Sequence, residues 1–281
     1  MQVVELNAGA LRLALRPDLG GSVAGLWHGS VPVLRSTEPA ALTGPRTSAS
    51  FPLLPYSNRL GFRRFRWQGN EYTTAPNFDD SPHSLHGVGW LRAWQVEGHD
   101  GHSVALNYRH KPDAHWPFAF DAYQRIALEE GRLVMRLTLV NTDAREQPVG
   151  LGWHPYFPRR QHSRLRMALE SRWESDARQL PTHAVPLPGI DAPVAALHYD
   201  HCFAGWNGMA VIEDECFELR LGSTLRHAVV FTPPGRDFFC VEPVGHANDA
   251  IHLDDPSAHG LIALAPGATT EAEMTLQIKA R

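Results

Sequence analysis

The run Arg132-Leu133-Val134-Met135-Arg136-Leu137-Thr138-Leu139 puts Leu133, Met135, Leu137 and Leu139 on one side of an extended chain, with Arg136 and Thr138 on the other. A period of two marks a half-buried strand, because successive side chains of an extended backbone point to opposite faces. The same period recurs on both sides of this run: in Leu11, Leu13 and Leu15; in Val104, Leu106 and Tyr108; in Ile126 and Leu128; and in Leu276 and Ile278. Residues 227–232 read as a buried strand. Asp100-Gly101, Glu130-Gly131 and Pro234-Gly235 punctuate the runs as turns. No apolar stripe at helical spacing reaches the length of an ordinary helix. The expected fold is all-β, a large and mainly antiparallel β-sandwich with few short helices.

Segments 35–50 and 180–194 lack the period and read as long loops, a class of segment that often carries function. The 22 prolines and 23 glycines are scattered, so no linker composition appears and residues 1–281 are expected to form a single domain. A chain of 281 residues is long enough to bury roughly three-quarters of its unfolded surface without disulfides or metals. Net charge is −4, which argues against a nucleic-acid partner. The three cysteines, Cys202, Cys216 and Cys240, are odd in number and form no Cys-x-x-Cys motif. Neither a disulfide framework nor a thiolate metal site is expected, and a reducing compartment fits. No basic-then-apolar leader opens the chain and no apolar stretch is long enough to span a bilayer, so a cytoplasmic protein with no membrane partner is expected. No glycine-rich phosphate loop is present, and no nucleotide cofactor is expected.

Chemistry concentrates in five segments. Trp153-His154-Pro155-Tyr156-Phe157 follows a strand-like run and sets an imidazole among aromatic rings. His154 reads as a proton-transfer group near neutral pH, or as a hydrogen-bonded core histidine. Asn58-Arg59 offers a fixed fork of donors for hydroxyls or a carboxylate; a surface arginine paired with an acid is the alternative. In His83-Ser84-Leu85-His86-Gly87 the histidines are three apart, which turns them to opposite faces of an extended segment and disfavours joint metal ligation. One ligand-facing ring is the better reading, with Gly87 allowing close backbone approach. Asp200, in Tyr199-Asp200-His201-Cys202-Phe203, could grip hydroxyls or cap a turn. Glu242, in Cys240-Val241-Glu242-Pro243, has apolar neighbours. If it lies inside, it must be hydrogen-bonded or its pKa must rise toward that of a general base working near neutrality; if it lies at a rim, neither is required.

In this order, from about residue 50 to 245, the segments resemble the aldose 1-epimerase (galactose mutarotase) family, as does Trp116-Pro117-Phe118. The resemblance implies a galactose mutarotase-like supersandwich and an isomerase that interconverts the anomers of a free monosaccharide, an aldohexose or aldopentose. It implies His154 as general acid, Glu242 as general base, and Arg59, His86 and Asp200 as sugar contacts. Asn58 and Tyr156, from the same motifs, complete the expected substrate-binding set. It implies no metal and no cofactor. Two departures leave the sugar's identity open: Val88 stands where many relatives have a second glycine, and His183 follows Pro181-Thr182 where glycine is usual. The alternatives are a hexose-6-phosphate 1-epimerase using Arg63, Arg64 and Arg66, a non-catalytic carbohydrate-binding protein, and a glycoside hydrolase drawing two carboxylates from Asp79, Asp80, Asp200 and Glu242. Those arginines could equally form a solvated strand face. The sequence carries no sign of an oligomeric state.

Overall fold

The structure is a computed structural model describing residues 1–281. About 51% of the chain is strand and 5% helical, and the helical pieces are three-residue 3-10 turns. The largest sheet has nine strands, and Arg132–Asn141 lies near its centre between Phe120–Glu129 and Thr269–Ala280. Leu133 is paired with Leu128 on one side and Leu276 on the other, and Met135 with Ile126 and Met274. This side of the sheet is buried, as the alternation requires. On the other side Arg136 reaches across to Glu273 at 2.7 Å.

While Arg59–Leu60 and Ser84–Leu85 pair in a separate two-stranded sheet, a second sheet of eight strands carries the motifs of His154, Asp200 and Glu242. Its path includes Asp200–Ala204, His227–Phe231, Phe238–Val244, Gly152–Trp153 and Pro52–Leu53, with Tyr156–Pro158 also paired to Phe238–Val244. All named strand pairs around it are antiparallel. Alternation along Phe238–Val244 divides it between two environments. Phe239 and Val241 join the main core with Phe157 and Trp153. Cys240 and Val244 face a smaller cluster with Phe51, Trp90 and Tyr156. Glu242, two residues from each, lies on this second face, which the 51–91 segment covers.

The 180–194 expectation is corrected. Pro181–Pro186 and Gly189–Pro193 are strands at the outer edges of the eight- and nine-stranded sheets. Their prolines obscure the strand signal, and an edge strand is where a residue without an N–H donor is tolerated. The 35–50 segment is mostly irregular, as expected.

Candidate active site

Register builds the centre of the site. Gly152 faces Val244 and Tyr156 faces Cys240 across one antiparallel ladder. The residue midway between the first pair and the second is His154 on one strand and Glu242 on the other. Pro155 has no N–H to give, and the ladder is interrupted there. The segment is held instead from its far side, where His154 N–H donates to Phe51 O at 3.0 Å and Tyr156 N–H to Ala49 O at 2.9 Å. The imidazole is stacked against Tyr156 (centroids 4.5 Å apart) and Phe51 (4.8 Å), which fixes its plane. Its Nε2 lies 3.2 Å from Glu242 Oε1.

Both groups are deeply buried, His154 to 8% exposure and Glu242 to 2%. Burial disfavours charge on each. It pulls His154 well below an ordinary histidine, helped by the neighbouring His86 and Arg35. It pushes Glu242 well above an ordinary carboxylate; Asp200 adds to that and Arg59 opposes it. The pair therefore favours holding one proton between its two members. Glu242 Oε2 and His154 Nδ1 have no protein partner, so the pair keeps free valences. The Cys240 thiol lies with them, the donor atoms of all three falling within 4.8 Å. Burial raises the thiol well above its usual value. A cation here would need two anions that the surroundings oppose, so the cluster reads as an acid–base pair beside a neutral thiol.

His86 forms the wall. It sits in a left-handed turn with Gly87, their φ angles +61° and +66°. Its Nδ1 accepts from Asn58 N–H at 3.1 Å, and its own N–H donates to Asn58 O at 2.9 Å. In the neutral ring the proton is thus on Nε2. Burial, aided by Arg59, pulls its pKa down to about 3. The ring meets His154 edge-on, centroids 5.3 Å apart.

The rim is charged. Arg59 Nη1 donates to Asn58 Oδ1 at 3.1 Å, and its Nη2 lies 3.6 Å from Asp200 Oδ2. The expected residues His154, Glu242, His86, Arg59 and Asp200 thus meet, although 183 positions separate Arg59 from Glu242 in the chain. Asn58 acts through its neighbours, bracing Arg59 and His86. Tyr156 is 7% exposed, stacked on His154 and packed under the Arg35 guanidinium, whose carbon is 3.5 Å from the ring centre. Trp153, Phe203 and Trp206 turn into the main core and so offer no stacking face to a ligand at this site.

His83 and His86 part, as their spacing requires. His83 Nδ1 accepts from Phe62 N–H at 2.9 Å, so its Nε2 donates to Arg178 O at 3.0 Å. Two residues near the site escaped sequence reasoning. Gln179 bridges Arg59 and Asp200: its Oε1 accepts from Arg59 Nη2, and its Nε2 donates to Asp200 Oδ2 at 3.3 Å. Arg35 extends the His154–Tyr156 stack. Neither lies in a motif.

This sandwich, with the ladder of His154 and Glu242 on its covered outer face, is of the galactose mutarotase-like class. Residues 2–277 match the family model described as Aldose 1-epimerase, and the chain belongs to that family. It is 35% identical over 297 residues to Uncharacterized protein YphB of Escherichia coli K12, covering 99% of both chains. A solved structure from Escherichia coli K12, proposed to be an aldose 1-epimerase, is 32% identical, covers 100% of this chain and 99% of that one, and superposes with a TM-score of 0.89. A galactose mutarotase-like protein from Clostridium acetobutylicum shares the fold, with a TM-score of 0.88 at 20% identity over 99% of this chain and 95% of that one. No helix is long and apolar enough to cross a membrane.

Proposed function

We propose that this protein interconverts the α and β anomers of a free aldose, acting as one domain on a monosaccharide without a cofactor. The observation that carries the reading is the 3.2 Å contact between His154 Nε2 and Glu242 Oε1, buried beside a rim of polar and charged side chains. Ring opening needs one group to take a proton and one to give a proton at the same moment. A pair sharing a single proton meets that need.

Moving the shared proton from Glu242 to His154 across their contact gives the working form, with Glu242 the carboxylate and His154 the imidazolium. Glu242 takes the proton of the anomeric hydroxyl, and the O1 electron pair becomes the second bond of the carbonyl. The C1–ring-oxygen bond breaks, and His154 gives its proton to the ring oxygen. Rotation about C1–C2 turns the other aldehyde face toward the ring oxygen. Closure with the proton movements reversed gives the other anomer and restores the pair. His86 Nε2–H, Arg59 and Asp200 hold the remaining hydroxyls, so that C1 stays between the two reacting groups. The site has a donor-only group in Arg59 and an acceptor in Asp200, a combination suited to a polyol.

The phosphosugar alternative has less support. Arg64 and Arg66 are exposed on the strand Arg64–Trp67, and Arg66 pairs with Glu71 at 3.6 Å. They therefore behave as a solvated face, with Phe65 buried behind them.

Polarimetry of freshly dissolved α-glucose and α-galactose tests the reading. The protein is expected to speed anomer exchange, and Glu242→Gln to abolish most of the acceleration. NMR exchange rates for glucose and glucose 6-phosphate, measured side by side, are expected to favour the free sugar. Tight sugar binding without exchange would leave a binding protein, and near-normal activity in Glu242→Gln would remove the proposed base.

A further inference from the structure

Gln179 is an exposed residue whose side-chain amide bonds to a charged group on each side at the rim of the site. It lies in a short segment tied into a tight turn. Asp176 Oδ1 accepts the N–H groups of Arg178 and Leu180 at 2.8 and 3.0 Å, and Gln179 N–H donates to Asp176 O at 2.9 Å. Buried His83 anchors the turn to the body of the protein through Arg178 O. At the tip, Gln179 has a φ of +63°, a conformation that side chains other than glycine rarely adopt. This turn carries its amide between Arg59 and Asp200.

We propose that Gln179 is a specificity-determining residue that reads the sugar hydroxyls remote from C1. This rests on the epimerase reading above. Arg59 can only donate, and Asp200, when ionised, can only accept. A primary amide has two N–H donors and two acceptor positions. Arg59 takes one acceptor position and Asp200 one donor, so one of each stays free on an exposed side chain. A hydroxyl is itself donor and acceptor at once. Among these three rim groups, Gln179 is the one that can answer both halves of the same hydroxyl. His154 and Glu242 are deeply buried while Gln179 is exposed, which orders the site from the reacting end of the sugar inward to its remote end outward. An inverted hydroxyl at that outer end would leave a donor or acceptor unmatched, and unmatched polar groups are the strongest source of discrimination between similar substrates.

The rival role for Gln179 is that of a passive brace between Arg59 and Asp200, and the two roles separate in kinetics. Glucose and galactose differ at C4 alone, and xylose lacks the C6 group. For Gln179→Ala and for Gln179→Met, which keeps the length without the amide, kcat should stay within about twofold while KM rises about three- to tenfold. The ratio of kcat/KM for galactose to that for glucose should shift by at least about threefold, with xylose affected least. An equal change for all three sugars assigns Gln179 to bracing alone and overturns the proposal. Calorimetric Kd values for the same sugars separate its failure from that of the epimerase reading. Wild-type protein that binds sugars without exchanging anomers ends the epimerase reading, while a changed Kd ratio in the variants still sustains the role of Gln179. An unchanged ratio, or no binding of any of the three sugars, overturns it.

Discussion

Glu242 and His154 are neighbours across a ladder, and each suffers from its burial in the opposite sense. For Glu242 the folded pKa lies well above that of the unfolded chain. Above about pH 4.5 the folded state therefore binds more protons than the unfolded state, and stability falls as pH rises toward the folded value. Glutamine, uncharged at every pH, escapes this cost. Glu242→Gln should thus lower kcat by about 10²–10⁴-fold and yet raise the urea midpoint at pH 8, with the gain shrinking toward pH 4.5. A variant both less active and more stable is the signature of a site held in tension. Equal or lower stability at pH 8 would mean that the carboxyl is better solvated than its position implies. The pair's catalytic titration follows from the same two shifts. Gain of a second proton is pushed well below the usual histidine range and loss of the shared proton well above the usual carboxylate range. The pH profile of kcat/KM should therefore be a bell, with its acid limb below the usual histidine range and its alkaline limb above the usual carboxylate range. Its two limbs belong to the pair and not to either residue alone. A single sigmoid through pH 6.5 would contradict the shared proton.

At the scale of elements, the turn at His86-Gly87 decides whether the wall of the site stands. A Cβ added at Gly87 would lie 2.1 Å from Leu54 O, and its φ of +66° is one that favours glycine. Leu54 O itself accepts from Val88 N–H at 2.9 Å and Gly89 N–H at 3.1 Å, so it cannot retreat without breaking both bonds. Gly87→Ala should cost about 2–3 kcal/mol and, by displacing His86, raise KM. Gly98→Ala is the control, because nothing lies within 4 Å of its added Cβ; urea denaturation should place it within about 0.5 kcal/mol of wild type. Elements differed in how openly they were written. Strands such as Arg132–Asn141 were legible, because one face is buried and the other solvated, so burial prints its period on the sequence. The edge strands at Pro181–Pro186 and Gly189–Pro193 were not, because edges tolerate prolines that read as loop. In the site, His154, Glu242, Arg59, His86 and Asp200 could be found through motifs whose order is a family signature. Gln179 could not, because its partner Arg59 is 120 positions away and its placement comes from a turn built on Asp176 and held by His83.

The molecule as a whole stores many neutral histidines, and they set its tolerance to acid. Burial is the leading cause in each case: it draws His86 to about 3 and His227 to about 4, and lowers His110, His154 and His246 as well. In the unfolded chain these rings take up protons near pH 6.5. Between that value and their folded pKa values the unfolded state binds more protons, so stability rises with pH and is lost as pH falls. Each ring whose folded value is below 5 removes about 2 kcal/mol between pH 6.5 and pH 5. Glu242 acts in the other direction, as does His252, whose pKa is raised first by its hydrogen bond to Asp249 and whose side chain is 40% exposed. The lowered histidines outnumber these two, so the net effect is acid lability. The histidines also span more than the site: His110 hydrogen-bonds to Tyr108 and Trp116 O, and His227 lies on a strand beside the one that bears Glu242. Acid should therefore unfold the protein as a unit rather than open the site alone. The urea midpoint should drop steeply from pH 7.5 to pH 5. His227→Gln, which cannot titrate, should shrink that drop by about 1–2 kcal/mol while leaving the pH 7.5 activity close to wild type. Equal drops in the two proteins would show that His227 finds solvent when protonated, and would leave the acid lability to the other lowered rings, His86, His110, His154 and His246.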